Sequence, residues 1–111
     1  MKRIVSLLVS ILLNSSLLFA ISPTNSKHRV PPSVLVKWTE TSPPKIIAGY
    51  NVYRSTISGG YYGKINEGLI TMQSYIDKDV TSGELYYYVV TCVGTDGIES
   101  KFSIQVSALI K

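Results

Sequence analysis

One cysteine and one histidine in 111 residues leave little material for reactive or metal-binding chemistry. Cys92 has no second thiol with which to form an intramolecular disulfide, so the fold rests on packing alone. As a single inward-phased residue it reads as a small buried hydrophobe rather than a nucleophile. His28 sits in a proline-rich stretch and reads as a solvated linker residue, which leaves no basis for a nucleophile–base triad or a histidine metal site. Positive charge is equally thin. Eleven Lys and Arg stand against seven Asp and Glu, scattered singly, whereas nucleic-acid binding concentrates basic residues on one surface. Gly59-Gly60 lacks the lysine and helix that a phosphate loop requires. Asp77 and Asp79 are the closest acidic neighbours and could in principle hold a cation, but a lone Asp-x-Asp reads better as strand-end carboxylates beside a turn. No helical period is sustained after residue 21. The expectation is a non-enzyme with no cofactor, no metal and no nucleic-acid partner.

The amino terminus is a different kind of segment. Lys2 and Arg3 precede an apolar stretch from Ile4 to Phe19, broken only by Ser6, Ser10, Asn14, Ser15 and Ser16, and Ala20 follows as a small residue. This is the layout of a secretory signal peptide over residues 1–20. An uncleaved anchor is the other reading, although a spanning helix needs roughly 20 apolar residues and the Asn-Ser-Ser break interrupts the run. A membrane association is implied only in that second case. Without the leader, nine basic residues face seven acidic ones, so the high pI says little. The expected location is secreted, periplasmic or at the cell surface.

Residues 21–32 carry Pro23, Pro31 and Pro32 among polar residues and read as a linker or an irregular first strand. From residue 33 to 111 the period is two. Val34, Val36 and Trp38 alternate with Leu35, Lys37 and Thr39; Ala48, Tyr50 and Val52 alternate with Gly49, Asn51 and Tyr53. Tyr86, Tyr88, Val90 and Cys92 form a third inward series, and Phe102, Ile104, Val106 and Ala108 a fourth. Alternate side chains on a strand point to opposite faces, so each series supplies a core face. Loop signals fall between them at Thr41-Ser-Pro-Pro-Lys45, Ser58-Gly-Gly60, Thr81-Ser-Gly83 and Gly94-Thr-Asp-Gly97. Asp96-Gly97 is a hairpin signal with a two-residue turn. Short strands spaced by turns indicate an all-β antiparallel sandwich or barrel.

Over about residues 33–110 the combination resembles a fibronectin type III domain, in the variant common in bacterial extracellular proteins. The residues that carry the likeness are Val34-Leu-Val-Lys-Trp38, Tyr50-Asn-Val-Tyr-Arg-Ser55, Lys64-Ile-Asn66, Ser74-Tyr-Ile-Asp77, Val80-Thr-Ser-Gly-Glu-Leu-Tyr86 and the hairpin at Asp96-Gly97 with Glu99-Ser100. The resemblance implies an immunoglobulin-like sandwich with Trp38 and Tyr50 in the core. It implies that Val80 plugs the core beneath a tyrosine corner, where the Tyr86 hydroxyl bonds a backbone group on the crossing. Two departures stand out: the 22–32 segment replaces a full first strand, and Tyr61 stands where that variant commonly has proline.

Register then places Tyr87, Val89 and Val93 outward, with Tyr53 and Asn51 on the same outer face and Tyr61 and Tyr62 nearby. Tyrosines so displayed suit a protein interface or stacking on sugar rings, although cross-strand pairing that only stabilises a sheet face accounts for them as well. Two functions are therefore expected. One is a non-catalytic module for protein interaction, adhesion or spacing outside the cell. The other is a small carbohydrate-binding module using Tyr53, Tyr61, Tyr62 and Tyr87. The partner is accordingly an extracellular protein or a polysaccharide.

Overall fold

A computed structural model describes residues 5–12, 30–40 and 46–111, with side chains from residue 30 onward. The leader end at Ala20, His28, most of the 21–32 segment and the Thr41–Lys45 loop lie outside the described residues. Among the described residues seven strands follow in order: β1 (Val5–Leu12), β2 (Ser33–Glu40), β3 (Ile47–Ser55), β4 (Gly63–Lys64), β5 (Ser74–Asp77), β6 (Leu85–Gly94) and β7 (Val106–Leu109). They form two antiparallel sheets, β1-β2-β5 and β4-β3-β6-β7.

The period-two pattern sets which faces meet. On β2, Val34, Val36 and Trp38 are buried while Lys37 and Thr39 are exposed. On the facing sheet Tyr50, Val52, Tyr86, Tyr88, Val90, Cys92 and Ala108 point back at them, and Ile110 closes the end. Trp38 meets Tyr50 edge-on across the sandwich, with ring centroids 5.3 Å apart, a favourable arrangement of the two ring quadrupoles. Val80 packs partly buried against this core. The corner is present: the Thr81 N–H donates to the Tyr86 hydroxyl at 3.0 Å.

Three expectations change, and one strand is additional. Val5–Leu12 pairs with β2 in continuous register, from Val5 opposite Glu40 to Leu12 opposite Ser33. Ala48 is exposed because the β3–β6 register shifts between Ile47 and Gly49, and such a bulge reverses side-chain phase. Gly49 then has to be glycine, since a Cβ there would stand 2.9 Å from both the Ile70 carbonyl oxygen and the Leu69 Cβ. The β6 hairpin loop has three residues, Thr95 to Gly97, rather than two. Gly94 accepts from the Gly97 N–H and donates to Ile98, and Gly97 takes φ +82° as a bulge position requires.

The last series departs most. Ala108 is buried and Val106 partly so, but Phe102 and Ile104 are exposed. The physical reason lies at the β6 edge. The Cys92 and Val90 N–H groups donate to the Ser100 and Ser103 hydroxyls, each at 2.9 Å, while the Ser100 and Ser103 N–H groups donate to the Cys92 and Val90 carbonyls, so side-chain oxygens stand in for backbone acceptors on one side of the ladder. Regular pairing resumes only at Val106, and the chain before it is free to turn Phe102 outward.

Candidate functional site

The outer face of the four-stranded sheet is set by the β3–β6 register, which places Asn51 opposite Thr91, Tyr53 opposite Val89 and Ser55 opposite Tyr87. Val89 is outward yet buried, so this face is covered rather than bare. The hairpin carries the chain back beside β6 and brings Glu99 over the face. One carboxylate oxygen, Oε2, accepts from the Tyr53 hydroxyl at 2.5 Å, the Thr91 hydroxyl at 2.5 Å and the Asn51 side-chain amide at 3.1 Å. Asn51 is itself fixed, because its Oδ1 accepts from the Asn66 amide at 2.9 Å while Asn66 Oδ1 accepts from the Val52 N–H at 2.8 Å.

These bonds govern ionisation. Partial burial opposes the charge on Glu99, but the bonds from Thr91, Tyr53 and Asn51, with the nearby Lys64 charge, outweigh it and hold the carboxyl below its ordinary range. Burial and the same hydrogen bond push the Tyr53 phenol up to about 12.

An aromatic cluster adjoins the carboxylate. Phe102 stands between Tyr53 and Tyr62, at centroid distances of 5.0 and 5.3 Å and near-perpendicular to both. Tyr62 donates to Gln105 Oε1, which also accepts from the Gly59 N–H, and Gln105 Nε2 donates to the Ser58 hydroxyl. The 58–62 loop is thereby tied to the chain entering β7. Tyr53, Thr91, Glu99, Ser100, Lys101 and Phe102 together line an open recess of about 460 Å³.

A second polar cluster has a different use. Arg54 faces inward opposite Tyr88, and its guanidinium donates to both Asp77 oxygens at 2.9 Å and to the Asp79 carbonyl at 3.0 Å. Tyr88 donates to Asp77 Oδ2 at 2.6 Å. Burial, then the bond to Asp77, raises the Tyr88 pKa far above the ordinary phenol value. Arg54 also lies over the Tyr86 ring, 5.5 Å from its centroid. Because Asp77 belongs to β5, the cluster bolts the two sheets together beside the corner. Its charges are mutually satisfied, as a buried pair must be.

Of the tyrosines singled out in the sequence, Tyr53 and Tyr62 are brought together through Phe102. Tyr61 is apart from them. It is 86% exposed, holds φ +56°, and walls a separate recess with Arg54, Thr81 and Tyr86. Tyr87 is half-buried between Ser55 and Ser107. Sequence reading placed Asn51 on the face of Tyr53 but missed Glu99 and Phe102 as partners of Tyr53, and it took Phe102 for core. The one signal available was the Ser100 and Ser103 pair, whose hydroxyls end the regular strand. Among the described residues no three His, Cys, Asp or Glu side chains converge as a metal site would need.

No family model matches the chain. Among curated proteins it is 49% identical over 59 residues to an amylopullulanase of Thermoanaerobacter thermohydrosulfuricus, covering 53% of this chain but only 4% of that one. Among solved structures it matches an Fn3-like protein from Clostridium thermocellum at 35% identity and TM-score 0.60, covering 71% of this chain and 77% of the other. A beta-1,2-glucanase from Parabacteroides distasonis matches at 32% identity and TM-score 0.59, over 70% of this chain and 11% of that enzyme.

Proposed function

This chain belongs to the fibronectin type III family, and from that membership we propose that it acts outside the cell as a non-catalytic module for interaction or spacing beside polysaccharide-processing proteins. Fold alone does not give function. What carries the reading is that the chain's sequence likeness runs to short stretches of polysaccharide-acting enzymes many times its own length. The leader pattern at residues 1–20 supports export.

The chemistry agrees with a non-catalytic role. Glycoside hydrolysis ordinarily uses two carboxylates flanking the bond, about 5–9.5 Å apart. Among the described residues Glu99 is the only carboxylate lining the outer recess, and Asp77 is engaged with Arg54 and Tyr88. An interaction with polysaccharide itself is favoured over a purely protein partner by the cluster of Tyr53, Tyr62 and Phe102 beside a fixed carboxylate.

Purified protein should release no reducing ends from pullulan or amylose, and its mobility should fall in native gels that contain one of them. Hydrolysis would overturn the non-catalytic reading. Unchanged mobility in every neutral polysaccharide would remove binding to the polymer and leave spacing.

A further inference from the structure

We propose that the recess bounded by Tyr53, Glu99, Lys101 and Phe102 is a subsite for one residue of a neutral polysaccharide chain. The inference rests on the polysaccharide reading above and adds to it a location and a set of roles. Phe102 is an apolar ring left 50% exposed, and its steeply inclined contacts with Tyr53 and Tyr62 fix the orientation of its plane. A sugar ring presents C–H groups on its face and hydroxyls around its rim, which matches an aromatic surface with a polar border.

Glu99 supplies that border. All three of its hydrogen bonds fall on Oε2, and among the described residues none falls on Oε1. The carboxylate is thus oriented by protein donors while one oxygen keeps its acceptor capacity for a hydroxyl, and bonds to an ionised acceptor are the stronger kind. The relay from Asn66 through Asn51 holds this geometry before any ligand arrives, so little ordering cost falls on binding. Lys101 adds a donor at the rim. The volume, about 460 Å³, lies in the range of small-molecule sites, about 300–1,000 Å³.

Affinity gels with pullulan, amylose or polygalacturonate, compared at low and high salt, test this on the full chain. Wild type should be retarded by a neutral polymer with little salt dependence. Phe102→Leu, which keeps apolar packing but removes the ring face, and Glu99→Gln should each weaken retardation about tenfold, and Tyr61→Ser, in the separate recess, should not change it. Trp38 emission from a buried indole verifies folding of each variant. Retardation of wild type with Phe102→Leu and Glu99→Gln equally retarded would overturn the subsite while leaving the polysaccharide reading intact. Retardation by polygalacturonate alone, abolished by salt, would mean charge capture by lysines and overturn the subsite also. If no polymer retards wild type, the polysaccharide reading fails and the subsite with it.

Discussion

Three consecutive tyrosines on β6 end in three environments, because strand side chains alternate and the two inward ones meet different partners. The Tyr86 hydroxyl accepts the Thr81 N–H, so Tyr86→Phe should cost about 0.5–1.5 kcal/mol, the usual worth of one such bond. Tyr88 is fully buried and donates to Asp77; Tyr88→Phe should cost about 1.5–3 kcal/mol, as for bonds to charged groups. Tyr87 is the outward residue, and Tyr87→Phe should stay within about ±0.5 kcal/mol. Denaturant unfolding of the three variants ranks them, and a damaging Tyr87→Phe would contradict the β6 register. Ionisation gives a second test at this scale. The folded-state pKa of Glu99 is depressed, so its contribution is full above the unfolded carboxyl value, about 4.3, and is lost as pH falls through the folded value. Tyr53 is raised to about 12, so its contribution is full below the unfolded phenol value, about 10, and is lost as pH rises toward 12. Urea midpoints against pH should therefore fall at both ends, with Glu99→Gln making the acid limb shallower and Tyr53→Phe reducing the alkaline one, which Tyr88, also raised, shares.

At the scale of elements, β1 is the unexpected member, since the residues that read as an export leader also pair with β2. The described core lies on β2, β3, β6, β7 and the adjoining residue Ile110, so a chain beginning at Ile21 should still fold cooperatively. Its β2 edge would change in an alternating way. Trp38 N–H bonds the Gln73 carbonyl on the β5 side, and N–H directions alternate along an antiparallel strand. Leu35, Lys37 and Thr39 therefore direct their N–H groups toward β1. Hydrogen exchange on the shortened chain should show those three amides losing protection while Val36 and Trp38 keep theirs. Uniform loss along β2 would mean that β1 is required for the sheet itself.

On the scale of the whole molecule, one core between two sheets makes Trp38 the residue whose loss is felt everywhere. Trp38→Ala removes a 2% exposed ring that contacts Tyr50 across the sandwich and should cost about 3–5 kcal/mol, a large part of a small domain's stability of about 5–15 kcal/mol. Thermal unfolding near the wild-type midpoint would place the core elsewhere. The all-β class, the inward faces of β2 and β6 and the shared outer face of Tyr53 and Tyr87 were legible from residue order, whereas the Tyr86 corner came from the family resemblance. Alternation and turn chemistry are local properties, and a chain with one buried side per strand has little freedom in how they combine. The position of Ala48, the outward turn of Phe102, the strand that covers the β2 edge and the grouping of Asn51, Tyr53, Thr91 and Glu99 were decided only in the tertiary structure. Each depends on which donor, 8 to 48 residues away, reaches a particular oxygen, or on where a ladder gives way to side-chain hydroxyls. Such choices turn on distances between strands, and sequence periodicity carries no information about those.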